Sequence, residues 1–123
     1  MAIPSKQVSA AHIIALVEDL FFLVQIKDAA QRFGCTIEFV KSAESIHDTK
    51  PDLVVIDLNA TKLDPLTAIT TAKSMGLEVL AFVPHVQIDL KQQAIEAGAD
   101  KVVARSNFAQ HLRTALENLS ATR

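Results

Sequence analysis

The chain has 123 residues, half of them hydrophobic and 21% charged, with a formal net charge of −2. That is the length of one domain with a buried core and the composition of a soluble globular protein. The small charge and the lack of Trp and Tyr argue against a nucleic-acid surface, a base-stacking platform or an anionic-membrane site, and the single cysteine, Cys35, excludes an internal disulfide framework and a cysteine-based zinc site while fitting a reducing, cytoplasmic setting.

Residues 1–11 carry Pro, Ser and Lys without period and lack the apolar core of a secretory signal, so they read as a loose leader. No apolar stretch in the chain approaches the length of a membrane span. Residues 12–17 (HIIALV) are a short apolar run that predicts strand one, ending at Glu18 and Asp19. Residues 20–33 have helical spacing, with Phe22, Ile26, Ala29, Ala30 and Phe33 as the apolar stripe and Gly34 as the stop. Residues 35–40 (CTIEFV) predict strand two, and Ser42 is placed to cap a short helix over 43–48.

Residues 51–59 (PDLVVIDLN) are the centre of the chain. After a turn-like Pro-Asp, Leu53 to Ile56 run without a polar break and stop at Asp57. A short, unbroken, β-branched run suits a strand covered on both faces, as in the middle of a parallel sheet. A polar loop containing Lys62 and Asp64 follows, then a helix over 66–75 stopped by Gly76. Residues 77–83 (LEVLAFV) predict strand four, ended by Pro84. Asp89 with Gln92 resembles a capping box for a helix to Ala97, stopped by Gly98, and residues 100–104 (DKVVA) predict strand five. Asn107 with Gln110 is a second capping-box candidate, opening a helix to about residue 119 with Leu112, Ala115, Leu116 and Leu119 buried.

Five strands alternating with five helices imply a doubly wound parallel sheet, an α/β domain over residues 12–119 with a short tail over 120–123. In the flavodoxin-like order 2-1-3-4-5, strands one and three are neighbours at the switch point, and ligands bind beyond the carboxyl ends there. Glu18, Asp19 and Asp57 would then share one crevice. Packed together they repel and raise one another's pKa, and a hard divalent ion such as Mg²⁺ relieves that. The plainer alternative for Asp57 is a helix-capping or loop aspartate, and for the acids as a group, solvated loop residues. His12, His47 and His111 are scattered without ligand spacing, and His85 lies just past strand four, beside the crevice.

At this point the sequence resembles a family: the receiver domain of two-component response regulators. The pieces that carry the likeness are the acidic pair in LVED, PDLVVIDL with its terminal aspartate, Asp64 in the next loop, and EAGAD at 96–100. The resemblance implies a (βα)5 fold, Mg²⁺ held by Glu18, Asp19, Asp57 and the backbone carbonyl of Asn59, and Asp57 as phosphoacceptor from a histidine kinase or phosphotransfer protein. The implied mode of action is binding to a downstream protein, or to a second copy of the chain, through the fourth helix, fifth strand and fifth helix (about 89–97 and 107–119). No nucleic acid, membrane or enzymatic turnover is implied.

The departures from the family pattern fall on the switching half. Val83 stands where the family has a Ser/Thr that bonds a phosphoryl oxygen, Arg105 where it has a lysine, Ser106 where a proline follows, and Val102 where a switch aromatic flips. Thr61, Lys62 and Pro65 depart from the usual loop, and Leu20 and Phe21 make the crevice rim apolar. Arg105 has two readings: a phosphate contact, or an ion pair with Asp57 that mimics a neutralised site. The expectation is thus a stand-alone, atypical receiver-like domain of a phosphorelay with an impaired switch. Its rivals are a phosphate-independent pseudo-receiver adaptor and a small acid-cluster phosphatase; the second lacks a DxD pattern, because Asn59 stands where the second acid belongs.

Overall fold

Strands β1 (His12–Leu16), β2 (Thr36–Phe39), β3 (Leu53–Asp57), β4 (Val79–Val83) and β5 (Lys101–Ala104) pair in parallel, in the order β2-β1-β3-β4-β5. The computed structural model describes residues 11–83 and 88–121; His85 and residues 1–10 of the leader expected over 1–11 lie outside them, while Ala11 is buried. Helices α1 (Leu20–Arg32), α2 (Pro65–Ser74), α3 (Ile88–Ala97) and α4 (Arg105–Ala121) alternate with the strands, together with 3₁₀ helices at Ala43–Asp48 and Thr61–Leu63.

The unbroken apolar runs are the strands buried on both faces. Every residue of β3 and β4 is buried, whereas the edge strand β2 alternates between exposed and half-buried positions and the other edge strand, β5, buries only Val103. Side chains along a strand alternate between faces, so each run feeds two cores. Ile13, Ala15, Leu53, Val55, Leu80 and Phe82 pack with Phe22, Ile26, Phe108, Leu112 and Leu116 of α1 and α4. Ile14, Leu16, Val54, Ile56, Ala81 and Val83 pack with Ile46, Ala68, Ile69 and Ala94 on the other side. The stripe expected on α1 is the observed one: Phe22, Ile26 and Ala30 are buried, with Ala29 and Phe33 packed against them.

Three local expectations are corrected. The second helix is 3₁₀, and the Ser42 hydroxyl meets the Ser45 hydroxyl at 3.1 Å rather than capping the backbone; Ile46, fully buried, anchors this turn instead. Asn107 does not cap the last helix, because β5 passes into α4 at Arg105 with no intervening loop, leaving Asn107 inside the first turn. That helix also continues to Ala121, through part of the expected tail.

The EAGAD segment is a structural joint. The Asp100 carboxylate accepts from the Val79 N–H at 2.8 Å and from Lys73 Nζ at 2.8 Å, while the Asp100 N–H donates to the Val79 carbonyl at 3.1 Å. The register of β4 against β5 is thereby tied to the end of α2. Gly98 sits at φ +113°, and a Cβ there would come within 2.9 Å of Lys73 Cγ. Both its backbone conformation and its space therefore require glycine.

Candidate functional site

The register fixes the site. Leu16 pairs with Ile56, so the chain leaves β1 into Glu18 and Asp19 beside the end of β3, where Asp57 is the last residue and pairs with Phe82 of β4. By strand alternation Asp57 points to the α1 and α4 side. Glu18, Asp19, Phe22, Asp57, Asn59, Phe82 and Arg105 line one cavity of about 200 Å³ at this end of the sheet. Three expected acids and Arg105 are thus brought together.

Asp57 is 4% exposed, the one buried charged side chain among the described residues. Its Oδ1 accepts from the Asn59 N–H at 2.9 Å, the tight turn after β3 supplying the donor. Burial pushes its pKa above the ordinary value; the Asn59 hydrogen bond opposes this, Asp19 and Glu18 add to it, and Arg105 counters weakly.

Asp19 serves as the cap of α1: extended at φ −76°, ψ 119°, it takes the Phe21 N–H on Oδ1 at 2.8 Å. Its Oδ2 lies 3.5 Å from Arg105 Nη2. The guanidinium carbon of Arg105 sits 4.5 Å from the centroid of the Phe22 ring. Phe22 in turn packs on Phe82 and Phe108, with centroids 4.8 and 5.7 Å away, and those two rings stand 4.2 Å apart. The sequence reading gave Phe22 only a core role and missed Phe82 and Phe108. Residues 22, 82 and 108 meet only through the sheet, and the one signal available was that Phe82 stands one residue from the end of strand four, level with Asp57.

The alternative ion pair between Arg105 and Asp57 is corrected. Arg105 pairs with Asp19, because a guanidinium reaching Asp57 would have to be buried with it, whereas the Asp19 side chain is 42% exposed and Phe22 offers a flat face beside it. Val83 and Val102 do not line the cavity: alternation turns both toward the opposite core, where Val83 is 2% exposed and Val102 packs against it as part of the same cluster. Asn59 contributes its N–H to Asp57 and lines the cavity.

The donor chemistry suits Mg²⁺, since Glu18, Asp19 and Asp57 present hard carboxylate oxygens to one space. Their present arrangement is not a formed ligand shell. Among the described residues no three His, Cys, Asp or Glu side chains are grouped as metal ligands, and both oxygens of Asp19 already have partners.

Solved structures share this architecture. A response regulator from Thermotoga maritima superposes with a TM-score of 0.72 at 17% identity, over 91% of this chain and 98% of its own. The phosphorylated cyanobacterial phytochrome response regulator RcpA gives 0.76 at 15% identity, over 93% and 96%. The fold is that of a response-regulator receiver domain. The receiver domain of a NarL response regulator from Mycobacterium tuberculosis gives 0.74 at 17%, over 93% and 98%. Neither a family sequence model nor a curated protein sequence matches the chain. No helix among the described residues is long and apolar enough to cross a membrane.

Proposed function

We propose that this chain is a receiver-like signalling module of a two-component phosphorelay, acting through protein–protein contacts, with Asp57 as the phosphoacceptor. The observation that carries this reading is Asp57 itself: a buried carboxylate at the switch-point end of β3, facing two further acids and an arginine across one cavity. The phosphorylated state of one similar structure supports it. Glu18, Asp19, Asp57 and the Asn59 carbonyl are the residues assigned to Mg²⁺, which when bound would supply charge on the phosphoryl oxygens. Arg105 supplies a second cation at the cavity. A histidine kinase or phosphotransfer protein is the donor on this reading, and a protein bound at α3, β5 and α4, or a second copy there, is the target.

A second reading is a pseudo-receiver adaptor that ignores phosphate. It is favoured by the Arg105–Asp19 pair and by Val83 and Val102 lying in the opposite core, away from the cavity. Beryllofluoride with Mg²⁺ distinguishes the two. The phosphoacceptor reading expects amide shifts at Asp57 and Asn59 that extend into α3; no shift at Asp57 would leave the adaptor reading in its place.

A further inference from the structure

Arg105 has two independent seats in the cavity. One is electrostatic, Nη2 lying 3.5 Å from Asp19 Oδ2. The other is the face of Phe22, 4.5 Å away, a ring held by Phe82 and Phe108. The aromatic seat does not depend on the carboxylate one. Both Asp19 oxygens already face donors, Oδ1 the Phe21 N–H that opens α1 and Oδ2 the Arg105 guanidinium. A divalent ion bound to Asp19 sits beside this guanidinium, which is a rival for the Oδ2 lone pairs and a like charge whichever oxygen the ion takes.

We propose that Arg105 is the cavity's resident cation, and that Arg105 and a divalent metal ion exclude each other at Asp19, so that Arg105 sets the metal affinity of the site. The inference rests on the reading of the acidic cavity as a divalent-ion site. The arginine and Asp19 side chains are 44% and 42% exposed, so the pair is easily opened and acts as a bias rather than a block. Once displaced, Arg105 keeps its seat on Phe22 and remains beside any anion that arrives with the metal. A lysine would not do the same: it lacks the planar face that stacks on the ring.

The test is a titration of the full chain with Mg²⁺ alone, followed by calorimetry and by the amide resonances of Asp19 and Asn59. Arg105→Ala is expected to tighten Mg²⁺ binding about three- to fivefold, the factor carried by a partly exposed pair of this kind. Arg105→Gln, which keeps a stem over Phe22, repeats the measurement if Ala disturbs the packing. Arg113→Ala removes the same charge from α4 away from this cavity and is expected to leave the affinity nearly unchanged. Equal affinity in wild type and both Arg105 variants overturns the inference while leaving the divalent-ion reading intact. Absence of Mg²⁺ binding in all of the proteins overturns both.

Discussion

Asp57 lies directly across from Phe82 in the β3–β4 register, and the two side chains share a face of the sheet. The carboxylate is thus set against aromatic surface on one side and faces the cavity lined by Glu18, Asp19 and Arg105 on the other. Burial and acidic neighbours together disfavour its charge.

That environment carries a pH sign. The folded pKa of Asp57 is raised above that of the unfolded chain, where an aspartate titrates near 3.9. The folded state therefore binds the proton more tightly, and this group's contribution falls as pH rises from about 4 through the raised value. Asp57→Asn keeps the shape and the acceptor for the Asn59 N–H while removing the charge. It is expected to stabilise the fold at pH 7 by about 1 kcal/mol, the usual gain when a strained site is relieved. The gain should shrink as pH falls toward 4. Paired denaturant titrations at the two pH values check this; a destabilised variant at pH 7 contradicts it.

Asp100 carries the opposite sign. Burial alone would raise its pKa, but hydrogen bonds from Lys73 and the Val79 N–H outweigh that and hold it below the ordinary value. A depressed pKa stabilises the fold above the unfolded value near 3.9, and that stabilisation is lost as pH falls through the folded value. Asp100→Ala removes the Lys73 and Val79 contacts and is expected to cost about 1–2 kcal/mol at pH 7. The difference from wild type should close in acid, where both proteins lack the charged carboxylate. A difference that stays constant down to pH 2 would show that the charge is not involved.

Much of this was legible in the chain because the inner strands β1, β3 and β4 are nearly pure apolar runs and the three glycines all take positive φ after helices. A buried parallel strand such as 53–57 cannot hide its pattern, and its last residue must stand at the ligand-binding edge. What could not be read were contacts that only the sheet creates. Phe22, Phe82 and Phe108 are separated by the whole middle of the chain. The choice of Arg105 between Asp57 and Asp19 depends on which carboxylate is exposed, and spacing does not encode exposure. Asn107 has the residue type and spacing of a cap, but the backbone turns straight from β5 into α4 at Arg105, which no residue pattern announces.

The three rings are expected to be the energetic keystone of the site. Phe108 and Phe82 are 0% and 1% exposed, and each touches the other two members of the trio. Phe108→Ala removes a fully buried ring between α4 and the sheet and is expected to cost about 3–5 kcal/mol. Since Phe22 also loses a support, the seat of Arg105 should loosen. Thermal unfolding measures the first effect, and the resonances of the Arg105 side chain report the second. Phe108→Leu, which fills more of the space, should recover most of the stability and less of the ring contact.

Val83 separates fold logic from family pattern. Family pattern alone suggests that Val83→Thr would restore a phosphoryl contact at no structural cost. The strand alternation says otherwise: Val83 pairs with Ala104, is 2% exposed, and points with Ala81 and Ile56 into the core under α2 and α3. A hydroxyl placed there is removed from water among apolar neighbours, so Val83→Thr is expected to lower stability by about 1–3 kcal/mol. The isosteric swap changes shape little, so the loss would come from the hydroxyl rather than from packing. Chemical denaturation of the single variant checks the cost. Beryllofluoride affinity, measured on the same sample, checks whether any contact is gained, and none is expected from a side chain on the far face of the sheet. A neutral or stabilising Val83→Thr with tighter beryllofluoride binding would mean that the end of β4 turns toward Asp57 when the site is filled.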